Sequence, residues 1–362
     1  MARKATDQVT TIGIDIGKNS FHLIGLDEAG NIVLRRKLSG NQVIVRLANL
    51  QPCLIGMEAC VGAHHLSRQL QALGHDARLM PAQYVKPYLR GQKNDFRDAE
   101  AISEAVQRPR MRFVPTKSVE QLDLQAMHRV RSRLVRHRTA IINQIRALLL
   151  ERGITVRQGA RFLRAALPDI LGRHAELLSP RMVQVIADLS GDLRHLNERL
   201  DEVTAEIDAL AKADDACQRL MTVPGIGPII SSAMASAIGN GAAFSRGRDF
   251  AAWLGLVPRQ MSTGGRTILG RISKRGNSYL RTLFIRGARV LLLRPENWPK
   301  HSFGPWLQAA SRRLHRNVLA VALANKLARI PAPIRGALWM VSSCACFWLL
   351  DAPSGIRRFC SA

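Results

Sequence analysis

The sequence has 362 residues, with 53 Lys and Arg against 27 Asp and Glu, a formal charge of +26, and 47% hydrophobic residues. That apolar content supplies two or three packed cores and excludes a disordered basic tail. The charge excess is too large for an ordinary metabolic enzyme and points to a polyanion, nucleic acid first and an anionic membrane surface second.

The polar start, MARKATDQVTT, leads straight into a strand-like run and does not read as a secretory signal. Thr11 to Asp15 alternates small and branched apolar residues and stops at Gly17; Phe21 to Leu26 is a second strand. A turn at Asp27-Glu-Ala-Gly30-Asn31 leads to a third strand, Ile32 to Leu38. A helix is expected from Asn41 to Leu50, a short buried strand from Cys53 to Met57 ending at Glu58, and a helix from Ala63 to Leu73 closed by Gly74. Ala77 to Met80 is a further strand and Ala99 to Val106 a helix. The order βββαβαβα, hairpin first, is that of a ribonuclease-H-like α/β domain over residues 10–115.

Residues 116–215 read as helical. One helix carries Leu122, Ala126, Val130, Leu134, Ile141, Ile145 and Leu148, interleaved with Arg129, Arg131, Arg133, Arg136 and Arg138. A later one carries Leu189, Leu193, Leu196, Leu200, Val203, Ile207 and Leu210, a coiled-coil seam of period about 3.5. Its other faces are acidic, at Asp188, Asp192, Glu198, Asp201, Glu202 and Glu206. A basic and an acidic helix invite antiparallel pairing, either within the chain or between protomers.

Residues 216–330 form a basic, mostly helical unit with no acidic side chain from Ala251 to Pro295. Leu220 to Pro228 (LMTVPGIGP) frames a Gly-x-Gly turn at Gly225 and Gly227. This is a helix-hairpin-helix pattern whose backbone N–H groups can approach a phosphate, or else a plain helical hairpin. Gly255 to Arg266, then Gly270 to Asn277, set hydroxyls among glycines and arginines. By spacing alone this is a glycine-rich phosphate-binding loop, with Arg259, Arg266, Arg271, Lys274 and Arg275 as backbone contacts; a hydroxyl there could also be a nucleophile. After Ile330, Pro331 and Pro333 end the helix and an atypical tail, 331–362, follows. Its apolar run, Ala337 to Leu350, is interrupted by Ser342 and Ser343 and falls short of the roughly 18–20 residues of a spanning helix. Cys53 and Cys60 are too far apart for a metal knuckle, Cys217 stands alone, and Cys344, Cys346 and Cys360 lie in the tail. Reduced thiols in a cytoplasmic protein, without structural zinc, are expected.

One acidic constellation carries chemistry. Asp15 ends the first strand, Glu58 ends a later one that lies beside it in such a sheet, and Asp95 and Asp98 are three apart at a helix start. Four carboxylates at close range cannot all stay ionised unpaired; a hard divalent cation such as Mg²⁺ relieves them and equips the site for phosphodiester chemistry. Singly, each has a plainer reading: Asp15 as a turn residue, Asp95 as a helix cap, Glu58 as an ion-paired acid.

In these motifs the chain resembles transposases of the insertion-sequence-110 family, its 1111-type subgroup in particular. The resemblance covers about residues 10–330 and rests on IGIDIGKNSFHL, IGMEAC, KNDFRDAEAI, VPGIGPIISSAMASAIG and AAWLGLVPRQMSTGGRTILGRISKRGNSYLRTLFIRGAR. It implies a RuvC-like domain whose Asp-Glu-Asp-Asp set, here Asp15, Glu58, Asp95 and Asp98, binds Mg²⁺. It implies a C-terminal domain whose serine attacks DNA to form a phosphoserine link. The serine position falls in Met261-Ser262-Thr263-Gly264: Ser262 is the preferred nucleophile, with Thr263 the alternative. The resemblance further implies a guide RNA from the element's non-coding end, homodimers or homotetramers joined through the coiled coil, and work on DNA at the nucleoid. Relatives continue through an Ala-Arg-Ile-x-Trp-like run that this chain lacks after Ile330, as a frameshifted end would. Two readings compete: a RuvC-like junction-resolving nuclease using metal-activated water, and a non-catalytic, decayed DNA-binding copy.

Overall fold

A computed structural model describes residues 9–92, 94–173, 177–239, 241–334 and 337–341. Lys93, Cys344, Cys346, Cys360 and most of the tail's apolar run lie outside the described residues. The chain divides into two compact units between Leu122 and Asp123.

In the first unit, β1 (Thr11–Ile16), β2 (Phe21–Leu26) and β3 (Ile32–Leu38) form an antiparallel meander, followed by α1 (Gly40–Ala48). The β2–β3 turn is closed by Asp27, whose carboxylate accepts from the Asn31 backbone N–H at 2.8 Å. Then come β4 (Leu54–Glu58), α2 (Ala63–Ala72), β5 (Asp76–Met80), a short α3 (Ala82–Val85) and α4 (Asp95–Val106). β4 runs parallel to β1 and β5 parallel to β4, giving the order β3-β2-β1-β4-β5. The segment that leaves this unit is fastened to α2: the Ser67 and Thr116 hydroxyls are 2.7 Å apart, and Arg68 donates to the Lys117 carbonyl at 2.6 Å.

Strand alternation assigns the two faces of the sheet. Ile12, Ile14, Leu23, Ile55 and Met57 point one way, into a core with Val43 and Leu47 of α1 and Leu66 and Leu70 of α2. Burying each such side chain contributes about 1.5–3 kcal/mol. The alternate residues face α4. Ile24 and Leu26 meet Ala99 there, while Gly13 and Gly56 leave the room that α4 occupies.

The second unit begins within α5 (Val119–Leu150), which pairs with α7 (Pro180–Ala213), while α6 (Ala160–Arg173) packs beside them. The pairing is antiparallel and internal to the chain. Ile145 and Leu149 share a core with Leu163, Leu167, Ile186 and Leu193, and Arg131 donates to Thr204 at 2.9 Å at the other end. One seam row of α7 (Ile186, Leu193, Leu200, Ile207) is buried. The second row, Leu189, Leu196 and Val203, is only half-buried, and Leu210 is exposed.

Next come α8 (Asp215–Met221), α9 (Pro228–Ile238), α10 (Gly247–Trp253), strands β6 (Pro258–Thr263) and β7 (Arg266–Ile272), α11 (Ser278–Leu292), α12 (Gly304–Ser311) and α13 (Arg316–Arg329). Phe250, Phe284, Leu220 and Leu323 are buried in their common core. The tail opens with an antiparallel pair, β8 (Pro331–Ile334) and β9 (Ala337–Val341). The stretch read from spacing as a glycine-rich loop is instead a β-ribbon. Gly264 (φ 51°) and Gly265 (φ 80°) supply the two positive-φ residues of a tight hairpin turn, and the flanking residues pair in register.

Candidate functional site

Asp15 and Glu58 lie one residue beyond the last β1–β4 pair, Ile14↔Met57. Alternation gives them the same face as Gly13 and Gly56, the face covered by α4. That helix begins at Asp95. Asn94 is its cap, its side chain accepting from the Phe96 N–H at 2.9 Å, so Asp95 is free of that duty. Asp95 and Asp98 share the first turn, where the helix dipole favours anions. Oxygen atoms of Asp15, Asp95 and Asp98 all come within 4.8 Å of one another. Glu58 is outside that set but borders it. Its carboxyl is held above the usual range by burial first, then by the charges of Asp15 and Asp98.

His22 was not singled out from sequence. It pairs with Asp15 across β1 and β2, and so shares the α4 face. Its side chain is only 6% exposed, and its Nδ1 stands 3.6 Å from an Asp95 oxygen. That nitrogen is buried and has no hydrogen-bond partner among the described residues. The ring packs edge-on against Phe96, with centroids 4.8 Å apart, and the Arg35 guanidinium lies 4.4 Å over the other aromatic. The donor set suits a hard divalent cation. Three carboxylate oxygens within 4.8 Å of one another, with Glu58 beside them, could be gathered onto such an ion by small side-chain adjustments. Small side-chain adjustments would also bring the orphaned His22 nitrogen within reach of Asp95.

In the second unit every residue from Pro258 through Arg271 is exposed. Ser262 pairs with Thr267, and Thr263 with Arg266, so the two candidate hydroxyls occupy opposite faces of the ribbon. Gln260 Nε2 donates to Ser262 Oγ at 2.8 Å. Arg266 and Arg271 extend from the ribbon, and Arg259, at its base, donates to the Ser273 carbonyl at 3.4 Å. Lys274 is held at φ 54°, with its N–H on the Gly255 carbonyl at 3.1 Å; Arg275 follows, exposed. The Gly225–Gly227 turn joins α8 to α9. Gly225 faces inward, where a Cβ would meet Leu291 Cδ1 at 2.8 Å. Around Gly227 the space is open.

A buried polar network fixes α5 to this unit. His128 is contacted by Tyr279 OH at Nδ1 (3.1 Å) and by Ser232 Oγ at Nε2 (3.0 Å). Ser232 spends its proton on the Pro228 carbonyl at 2.5 Å, so it accepts from Nε2–H, and Nδ1 accepts from tyrosine. Burial lowers the His128 pKa to about 4, with Arg131 adding to the effect.

Residues 12–153 match the DEDD transposase family of the IS110 type, and residues 217–302 match the family described as transposase IS116/IS110/IS902. The chain is 47% identical to a probable family 20 transposase of Pseudomonas aeruginosa over 323 residues, 89% of this chain and 95% of that protein. It is 43% identical to the transposase for insertion sequence element IS1328 of Yersinia enterocolitica over 89% of this chain and 95% of that one. With the transposase for insertion sequence element IS1111A of Coxiella burnetii it shares 42% identity over 91% and 90% of the two chains. A DEDD match over the unit that carries the carboxylates, with relatives this similar along almost their whole length, means that the chain belongs to the IS110/IS116/IS902 family of insertion-sequence transposases, DNA-processing enzymes of mobile elements.

Proposed function

We propose that this transposase cuts and rejoins DNA by a Mg²⁺-dependent attack of a side-chain hydroxyl on the phosphodiester backbone. The observation that carries the proposal is the convergence of Asp15, Asp95 and Asp98 within 4.8 Å, with Glu58 beside them. The strand order β3-β2-β1-β4-β5 supports a RuvC-like domain over residues 10–115. Residues 116–215 serve as the helical arm, 216–330 as the DNA-joining domain, and 331–362 as a divergent tail.

Asp15, Glu58, Asp95 and Asp98 would hold the cation. When bound, Mg²⁺ supplies Lewis-acid neutralisation of phosphate charge. His22, its Nδ1 3.6 Å from an Asp95 oxygen, would orient that carboxylate once the cation draws it in. Ser262 Oγ attacks phosphorus: a serine–phosphate ester forms, the bond to the departing strand's oxygen breaks, and that oxygen takes up a proton. The hydroxyl of a second strand reverses the step and frees the serine. Gln260 holds Oγ by an accepted hydrogen bond, which leaves the serine proton available for transfer. Thr263, on the opposite face, is the alternative nucleophile.

Arg259, Arg266, Arg271, Lys274 and Arg275 contact DNA, as do the backbone amides near Gly227. Gly225 serves the turn by packing inward. The +26 charge suits polyanionic partners, and the family resemblance adds a guide RNA to the DNA. The half-exposed second seam row of α7 supports a homodimer or homotetramer joined through the coiled coil. Among the described residues no helix is long and apolar enough to cross a membrane. Work on DNA at the nucleoid, in the cytoplasm, follows from this reading.

The test is covalent capture. Full-length protein, co-purified with RNA from its flanking DNA, is mixed with labelled element-end DNA. An SDS-resistant adduct is expected with Mg²⁺ and not with EDTA. Peptide mapping should place the linkage on Ser262, and Asp98→Asn should abolish the adduct. Full cleavage by a Ser262→Ala, Thr263→Ala double variant would identify water as the attacking group and overturn the proposal.

A further inference from the structure

We infer that the β6–β7 ribbon lies in the major groove of duplex DNA, with Met261, Ile268 and Arg266 against the base edges. The inference rests on the DNA-joining role proposed above and names how the second unit reads its substrate.

The ribbon projects without cover. Met261 is 61% exposed, Ile268 39% and Leu269 45%, and among the described residues no third strand pairs with either edge. A two-stranded ribbon is at best marginally stable alone, and open edges invite a partner. Its base, by contrast, is firmly mounted. Ser273 N–H donates to the Val257 carbonyl at 2.8 Å, and Arg281 donates to the Leu254 carbonyl at 2.9 Å. A fixed base under a bare ribbon presents the ribbon to something outside the chain.

Charge selects the partner. From Pro258 to Gly276 there are five cationic side chains and no acid. A second copy of so basic a ribbon would be repelled; a polyanion is drawn in. Size selects the groove. Two strands about 4.8 Å apart, with their side chains, are about 10 Å wide. They fit the roughly 12 Å major groove of B-DNA and not the roughly 6 Å minor groove. The deep, narrow major groove of A-form RNA does not admit them.

Register assigns the faces. Met261 is opposite Ile268, and Thr263 is opposite Arg266, on one face. Apolar side chains there suit thymine methyl groups, and Arg266 suits a guanine edge. The other face carries Gln260, Ser262, Thr267 and Leu269. Its hydroxyls are turned away from the base edges.

The test uses full-length protein, co-purified with RNA from its flanking DNA, on a duplex carrying the element's terminal sequence, probed with dimethyl sulfate. That reagent reports guanine N7 in the major groove and adenine N3 in the minor groove. A strand of six residues spans about 20 Å, so N7 protection over about six base pairs is expected. A Met261→Ser, Ile268→Ser double variant keeps the charge. It should lose that protection and at least tenfold of the preference over random duplex, with an unchanged salt slope. Arg266→Ala should relax the preference for guanine at the position it contacts. These positions are exposed, and circular dichroism will report whether the fold is kept. The inference is overturned by unchanged N7 protection in the double variant, by protection confined to adenine N3, or by a footprint intact while self-association or RNA binding is lost. Failure of the wild-type protein to bind duplex at all would instead overturn the DNA-joining role on which the inference depends.

Discussion

Gly13→Ala should dismantle the carboxylate cluster without unfolding the protein. Gly13 sits on β1, two residues before Asp15, where α4 crosses the sheet. A Cβ there would lie 2.5 Å from Ser103 N and 2.9 Å from Ser103 Cβ, with the Ala99 carbonyl oxygen closer still. Non-bonded carbons need about 3.5 Å, so α4 must back away by roughly 1 Å. Ala99 directly follows Asp98, so the displacement reaches the acids. Overpacking of this kind costs about 1–3 kcal/mol, which a domain of ordinary stability survives. A 1 Å error at a reacting centre costs about 10²-fold in rate. Gly56→Ala is the control. Its Cβ would meet Val106 Cβ at 2.8 Å and Ile102 Cγ2 at 3.2 Å, side chains toward the far end of α4 from the acids. Calorimetry should show similar losses of stability for both variants. Covalent DNA capture should fall about 100-fold for Gly13→Ala and within about threefold of wild type for Gly56→Ala. Wild-type capture by a folded Gly13→Ala protein would refute the claim that helix–sheet approach sets the acids.

Three further outcomes are expected. His22→Phe keeps the packing against Phe96 but removes the nitrogen facing Asp95. Mn²⁺ affinity should fall about 10- to 100-fold while DNA binding is unchanged, and equal affinity would remove His22 from the site. His128 is neutral in the folded protein, its pKa lowered from 6.5 to about 4. As pH falls from about 7 to about 4 the unfolded chain binds the proton first, so stability is lost, by up to about 3 kcal/mol. Urea unfolding at pH 7.5 and pH 5 should show this slope reduced in His128→Gln; identical slopes would contradict it. Ser262→Ala should abolish covalent capture and Thr263→Ala should retain it, since the two hydroxyls occupy opposite faces; the reverse pattern would move the nucleophile to Thr263.

Much of the first unit is legible because strands announce themselves with period two. The alternation in TIGID and LIGME fixes both the strands and the face on which Asp15 and Glu58 fall. The two aspartates point to the start of α4, but the pattern places the helix only from Ala99, and the cap is Asn94 rather than Asp95. What cannot be read is which helix covers which face. The reason for glycine at 13 and 56, and the placing of His22 beside Asp95, therefore emerge only from packing. His22 does leave one trace, its position on the strand that a hairpin folds back onto Asp15. The β-ribbon escapes because hydroxyls and arginines blur its alternation, although Gly264-Gly265 between paired runs is a hairpin signal. The His128, Ser232 and Tyr279 network joins three distant segments, and no local pattern encodes it. Glycine at 225 is explained by packing, because Leu291 fills the space a Cβ would need.

The central claim is that distant carboxylates share one divalent cation. Mn²⁺ titration of the full-length protein, followed by electron paramagnetic resonance, tests it most directly. At least one tight equivalent per chain should bind, and Asp15→Asn and Asp98→Asn should each abolish it while circular dichroism stays unchanged. Undiminished Mn²⁺ binding in both folded variants would contradict the account.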